Sequence, residues 1–427
     1  MKRLAYKPDA LPPGARRLLY GGYCWLNRHA ALLRTIGALL RRWPSIAGRF
    51  GLVVRARAVK SVLTRPRSFS NTSHAPNLVA GDYLIAMDPG PVYHDDRALL
   101  DKRLKVLTVQ VHADCEARQR LAGLPQSRNS VSFDLIDDYL MWIVHRAIEP
   151  VFGTAAGNVA EGSQVAVGDP GLQRQYLLET RYVAGQLLAG SISTLDVQRR
   201  AEACAGALRA RIKGVIGHIR SAWGLPPSYP SADIERNAVG LAWIAHAVTV
   251  QSGALVVQEL LRRPEVYRAL RSKAAAIGAP NVWNHVDFRK SVHNHVLELM
   301  RFRPIFPLLV RDVPRDTVLE TGGQKDAPCA GGKSVVMLSI AALFDPAAVA
   351  DSRRFCPHRD WGTDEDLRWL MFGYGDRRCP ARKYAVDILT SALIGLLTLP
   401  ELRLAHGDGK AIKYTGPLMS RMRMRFA

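Results

Sequence analysis

Acidic residues are the scarce class in this chain. Against 59 Lys and Arg stand 37 Asp and Glu, which leaves a formal net charge of +22 over 427 residues. Such an excess points to an acidic partner, whether nucleic acid, an anionic membrane or an acidic protein. Cysteine is sparse as well: six in this length do not make a disulfide scaffold. No apolar run reaches the roughly 18–20 uncharged residues that a spanning helix needs. The stretch Leu32 to Leu40 is broken by Arg34 and bounded by Arg41 and Arg42. The basic start Met1-Lys2-Arg3 meets Lys7, Pro8, Asp9, Pro12 and Pro13 before any apolar run, so a secretory signal is not expected. Zinc-ligand sets, a helix-turn-helix and RNA-binding aromatic signatures are missing, and the arginines are scattered through helical patterns, which argues against nucleic acid. The 48% hydrophobic and 22% charged content excludes wholesale disorder. A cytoplasmic, soluble protein with reduced cysteines is expected. The apolar, Arg-rich stretch Tyr20 to Phe50 either packs as a helix with a solvated arginine face or rests weakly on a membrane surface.

What is present is helical pattern. No internal repeat is found. Short strands are expected early, at Leu52 to Val59, and late, at Val335 to Ser339, and a Gly-rich loop at Thr154 to Gly171. Ser231 is placed to cap a long helix from Asp233 to about Arg263. Pro264 fits the start of the next, Glu265 to Ala276. Another runs from about Phe288 to Phe302 and stops before Pro304. A last helix follows Cys379, through Lys383 to about Leu397. No break reads as a flexible linker, which favours one large, mainly α domain with small β-sheets over residues 1–427, residues 1–45 being a peripheral segment.

The chemistry concentrates in Met371-Phe372-Gly373-Tyr374-Gly375-Asp376-Arg377-Arg378-Cys379-Pro380-Ala381-Arg382. Gly373 and Gly375 permit backbone conformations closed to other residues and let the chain approach a flat surface. Cys379 stands at the predicted start of a helix, where orphan amide groups and the dipole favour a thiolate. Arg377 and Arg378 push the same way. Such a thiolate is a nucleophile or a metal ligand, and Phe372 is placed to cover one face of a planar cofactor.

This segment resembles the haem-binding loop of cytochrome P450 enzymes, Phe-x-x-Gly-x-x-x-Cys-x-Gly. Phe372, Gly375 and Cys379 fit the spacing, while Ala381 replaces the last glycine. The resemblance implies a cytochrome P450-like fold enclosing one haem b (iron protoporphyrin IX), with Cys379 as the proximal iron ligand. Two further motifs stand in the family's order. Glu298-Leu299-Met300-Arg301 matches Glu-x-x-Arg, and Phe355-Cys356-Pro357-His358-Arg359 resembles Phe-x-Pro-x-Arg. Glu298, Arg301 and Arg359 are implied to form a buried triad that holds the cysteine loop. Arg377 and Arg311 match propionate-binding positions. Near the start, Tyr93-His94-Asp95-Asp96-Arg97 aligns with a His-x-x-x-Arg pair that contacts haem. Arg97 is the implied contact, with either Tyr93 or His94 before it.

One pattern departs from the family. The helix that crosses the distal haem face usually carries an acid–alcohol pair that relays protons. Here the stretch is Trp243-Ile244-Ala245-His246-Ala247-Val248-Thr249. One register puts Ala247 at the acid and Val248 at the alcohol; shifting by one keeps Thr249 as the alcohol and puts Val248 at the acid. The acid is absent either way. His246 and Thr249 are the candidate catalytic groups beside Cys379.

Two accounts of the reaction follow. In one, a monooxygenase uses dioxygen and electrons from a separate ferredoxin or flavodoxin-type protein, docked near Arg378, Arg382 and Lys383. In the other, a peroxide or substrate hydroperoxide is used without reduction. The implied distal lining is apolar: Trp243, Ile244, Ala247 and Val248, then Ile305, Phe306, Leu308, Leu309 and Leu418, with weaker candidates between Ser68 and Leu84. That favours a small apolar substrate such as a terpenoid, lipid or polyketide. A monomer with no membrane anchor and no fused redox partner is expected.

Overall fold

The computed structural model describes residues 12–71, 78–105, 108–124, 131–152, 170–279, 281–362, 364–405 and 411–426. The Gly-rich stretch expected at 154–171 lies almost wholly outside them. Helices dominate. The first three are α1 (Pro13–Arg28), α2 (Ala30–Leu40) and α3 (Pro44–Arg49). After strand β1 (Leu52–Val53) comes α4 (Ala56–Thr64), which takes the second half of the span expected as strand. Ala58, Val59, Val62 and Leu63 recur at helical spacing and are buried, so period 3.6 prevails over β-branching. Then come α5 (Pro91–Lys105), α6 (Val109–Ala122), strand β2 (Val131–Asp134) and α7 (Met141–Ile148). The helices α8 (Pro170–Ala189), α9 (Leu195–Gly214) and α10 (Ile216–Ala222) lead to the longest, α11 (Ser231–Leu261).

Helix α11 runs through the core. Contrary to the expectation from apolar runs, it is long and apolar enough to cross a membrane, but 83% of its apolar window is buried inside the protein. Its N-cap is Pro230, not Ser231; the Ser231 hydroxyl instead accepts a hydrogen bond from Arg220 at 2.7 Å. The chain continues through α12 (Pro264–Ile277), which has Pro264 at its first turn, and α13 (Val286–Phe302). Strands β3 (Leu309–Asp312), β4 (Thr317–Leu319), β5 (Ala327–Cys329) and β6 (Ser334–Met337) follow, then the short α14 (Ser339–Ala342). Helix α15 (Arg382–Thr398) and strands β7 (Arg403–Leu404), β8 (Ile412–Thr415) and β9 (Leu418–Phe426) close the chain.

The sheets are small. In one, β6 pairs with β1 in parallel and with β3 antiparallel, in the register Arg311↔Val335. In another, β9 pairs with β2, β7 and β8. Together they tie β1 and β2, in the first third of the chain, to strands of its last third. Helix α15 is apolar on nearly every face from Val386 to Leu397 and is buried accordingly. All six cysteines are free thiols.

Candidate active site

The cysteine loop enters from a short helical turn, Glu365–Phe372, and leaves into α15. Gly373 (φ 85°) and Gly375 (φ 66°) both sit in the left-handed region, and a Cβ on Gly375 would press on Thr64. The Cys379 amide donates to the Phe372 carbonyl at 2.8 Å, closing the loop on itself. Phe372 is half-buried and packs on Trp369. Helix α15 begins only at Arg382, three residues after Cys379 rather than at it. Burial pushes the Cys379 thiol up, opposed by the Ala381 backbone N–H and by Arg97 and Arg382. The protein alone therefore does not favour the thiolate that the sequence led us to expect, because desolvation outweighs the dipole and the arginines.

Helix α5 braces the loop. The Tyr93 hydroxyl donates to the Asp376 carbonyl at 2.8 Å. Arg97 Nη1 donates to the carbonyls of Asp376 (3.2 Å) and Arg378 (2.7 Å), and Nε pairs with Asp101. Tyr93 is buried, whereas His94 is exposed on the outer side of α5, one residue further round, so His94 is not placed for the expected cofactor contact. Arg97 holds backbone and is not a free anion-binding position.

Two guanidiniums fare differently. Arg377 pairs with Asp88 at 2.7 Å and donates to the Phe69 carbonyl, while its Nε and Nη1 are enclosed without a partner among the described residues. Arg311, on β3, donates to its neighbour's carbonyl at Val310, and its Nε is enclosed and unpartnered too. Burial first, then Arg377, pushes Arg311 down to about 9, against the pull of Asp88 and Asp312. Asp88 is already engaged, accepting also from the Ser70 hydroxyl and the Asn71 amide; Asp312 accepts from Ser334 through Oδ1, and its Oδ2 is enclosed without a hydrogen-bond partner among the described residues, so it takes neither guanidinium. Enclosed N–H groups of two neighbouring cations are thus left without an acceptor. A dianionic group matches that deficit, and a haem carries two propionates.

Behind the loop lies the Glu-x-x-Arg network. Glu298 takes Arg301 in a bidentate pair, 2.8 Å for each oxygen, with Arg301 fully buried. Arg301 also donates to the carbonyls of Leu343, Ser352 and Arg354. Glu298 accepts the Cys356 amide at 2.8 Å and Arg359 at 3.3 Å. The three implied triad residues are thus brought together, and the Cys356 amide joins them.

On α11 the structure sorts the candidates. Between residues 237 and 260 all are buried except Ile244, Ala245 and Val248, which stay partly accessible. Their i, i+1, i+4 spacing is one helix face. Thr249 stands one turn past Ala245, at the flank of that face, and is 7% exposed. Trp243 and Ala247, expected to line the pocket, are buried on another side. His246 points away from the open face. Its ring contacts the Met141 carbonyl of α7 at 3.0 Å and the Thr180 hydroxyl of α8 at 3.2 Å, and burial pushes it down to about 4. Of the remaining lining candidates, Phe306, Leu308 and Leu309 are half-buried, Ile305 is buried, and Leu418 is buried beside Gly185.

One residue is marked by the sequence only as part of the weak span Ser68 to Leu84. Tyr83 lies in a turn before α5, and no motif marks it. Its ring sits so closely on Gly240 that a methyl group there would overlap it, and it meets Trp243 edge-on at 6.4 Å. Burial raises the phenol's pKa well above its ordinary value, and Cys379 is the next largest cause. Tyr83 therefore packs on α11 near Cys379. Gly240 lies one helix turn before the open face, but nothing local to either segment pairs it with Tyr83.

The family model that matches is "Cytochrome P450", over residues 238–423. Residues 238–423, a little under half of the chain, thus carry the match to this family. The cofactor of the family is haem, and the orphaned Arg311 and Arg377 beside the Cys379 loop fit it. Among curated relatives, a tabersonine/lochnericine 19-hydroxylase of Catharanthus roseus is 26% identical over 161 residues, 36% of this chain and 31% of its own. A C-22 sterol desaturase of Gibberella zeae is 31% identical over 160 residues, 35% of this chain and 28% of its own. The chain thus spans about a third of the length of these relatives. Solved P450 structures share the fold. P450BioI, in complex with an acyl carrier protein ligated to hexadec-9Z-enoic acid, aligns with a TM-score of 0.70 at 16% identity, over 94% of this chain and 99% of that one. A mutant of P450 EryK in complex with erythromycin B gives 0.69 at 18%, over 93% and 96%.

Proposed function

We propose that this chain is a haem-thiolate monooxygenase that oxidises a small apolar substrate with dioxygen and electrons from a separate redox protein. The observation that carries the reading is the arrangement of Cys379. It sits in a left-handed glycine loop, tied down by Tyr93 and Arg97 and flanked by two arginines with enclosed, unpartnered N–H groups. Haem held by a thiolate supplies the electron push that favours O–O cleavage and oxygen transfer.

The chain's own residues do the rest. Cys379 would provide the thiolate, with Phe372 beside it. Arg311 and Arg377 would hold the two carboxylates, with Asp88 keeping Arg377 in place. The Glu298–Arg301–Arg359 network keeps the segment before the loop rigid. Ile244, Ala245 and Val248 present an apolar wall that orients an apolar substrate and excludes water. The Thr249 hydroxyl flanks that wall and is the group that would pass protons from ordered water. Electrons arrive from an acidic ferredoxin or flavodoxin-type partner docking near the exposed Arg378 and Lys383. A terpenoid, lipid or polyketide substrate agrees with the wall and with the sterol, hexadecenoic-acid and erythromycin names among the similar proteins.

A second reading is favoured by one observation: the open face of α11 carries no carboxylate. A peroxide-dependent enzyme needs no acid there. Turnover with NAD(P)H and a redox chain, compared with turnover on peroxide alone, separates the two; activity on peroxide alone rejects the monooxygenase. The haem-thiolate assignment itself predicts a red-shifted ferrous–CO Soret band that Cys379→Ala abolishes. A Cys379→Ala protein that keeps the band overturns it.

A further inference from the structure

Thirteen large apolar side chains are exposed among the described residues, and eight of them lie between Leu18 and Phe50. They fall on three helices at matched spacing. Leu18 and Trp25 are seven apart on α1; Leu32 and Leu39 are seven apart on α2; Trp43 and Phe50 are seven apart around α3, with Ile46 between them. Seven residues are two helical turns, so each pair shares a face. On α2 the opposite face is already used: Ala30, Leu33 and Gly37 are buried, and Gly37 packs against Ala341 of α14; in α3 Ala47 and Gly48 are buried, with Gly48 against Thr321. The outer faces are apolar without a covering element among the described residues. The same segment is devoid of negative charge. From Ala10 to Gly81 there is no Asp or Glu, against eleven Arg and one Lys. Arg17, Arg42 and Arg49 are exposed beside the apolar side chains.

We infer that the outer face of α1–α3 is a docking surface for an anionic lipid bilayer, on which the protein rests without spanning it. The aromatic members, Trp25, Trp43 and Phe50, suit the interfacial layer, and the arginines suit acidic headgroups. Charge complementarity selects this occupant over a second copy of the chain, which would bring the same acid-free, arginine-rich face against itself. The patch continues along the molecule: α1 packs on α8 and on the turn Gly190–Ile192, which is followed by exposed Leu195. Such docking does not depend on the enzymatic reading.

The test is co-sedimentation of the full chain, haem bound, with phosphatidylcholine vesicles and with vesicles that also contain phosphatidylglycerol. Binding to the anionic vesicles, weakened by salt and accompanied by a blue shift of tryptophan emission, is expected. Trp43→Ser with Phe50→Ser should weaken it at least about tenfold, and so should Arg42→Glu with Arg49→Glu. All four side chains are exposed, so circular dichroism and the ferrous–CO spectrum should not change. No binding of the wild-type protein to anionic vesicles, or variants that bind as well as it does, overturns the inference. A dimer in sedimentation velocity that the Trp43/Phe50 variant dissociates, without vesicle binding, overturns it in favour of self-association.

Discussion

The ring of Tyr83 occupies the space that a side chain at Gly240 would need. That fit fixes the turn before α5 against the helix that forms one wall of the site. Gly240→Ala should therefore be destabilising although alanine is the better helix former. Overpacking costs about 1–3 kcal/mol, against roughly 1 kcal/mol gained in helix propensity. A thermal melt should show a lower midpoint. In a Tyr83→Ala background the same change should be neutral or stabilising; a Gly240→Ala penalty that persists there rejects the contact as its cause.

Breaking the network behind the loop should be far more costly. Glu298→Gln leaves the fully buried Arg301 charge without its bidentate partner. A loss of about 3–5 kcal/mol is expected, with poor haem incorporation. Replacing Glu298 and Arg301 together by Met removes both charges and should recover part of it. A double variant no more stable than Glu298→Gln would show that Arg301 acts mainly through the Leu343, Ser352 and Arg354 carbonyls.

An acid limb is expected as well. His145 and His246 meet edge-on at 6.3 Å in the core. Burial first, then His246, Arg146 and Arg120, pushes His145 from 6.5 down to about 3; burial and Arg181 hold His246 at about 4. Tyr176 and Thr180 face them from α8. A histidine with a depressed folded pKa is neutral in both states above its ordinary value. As pH falls from that value towards the folded pKa, the unfolded chain takes up the proton first, and stability is lost. Stability should drop from pH 6.5 towards 4 more steeply in the wild type than in a His145→Gln/His246→Gln variant, read from urea midpoints. Parallel profiles would refute the assignment.

Arg311 should trade stability for cofactor binding. Its enclosed Nε and its proximity to Arg377 make it costly in the haem-free protein. Arg311→Met should leave that form as stable or more so, yet release haem to excess apomyoglobin roughly tenfold to a hundredfold faster, as expected for a lost charge-assisted hydrogen bond. Unchanged release would place the carboxylates elsewhere.

Local spacing alone settled the parts whose chemistry lies within one short segment. Gly373, Gly375 and Cys379 form one continuous loop, and Glu298 and Arg301 share one helix face, so both were legible before any fold. Helix ends at Pro264 and Pro304 were legible for the same reason, since proline acts on its own backbone. Which way side chains face came instead from packing. Periodicity shows α11 apolar on every side, so nothing in it distinguishes Val248 from Trp243 or turns His246 towards Met141; the helices packed around it do that. The charge state of Cys379 was likewise not local, because burial, which only the fold creates, outweighed the helix end and the neighbouring arginines. The pairing of Tyr83 with Gly240, 157 positions along the chain, could not be read from either segment. Close contact between distant residues leaves no periodic trace in the sequence, and it is what gives this site its walls.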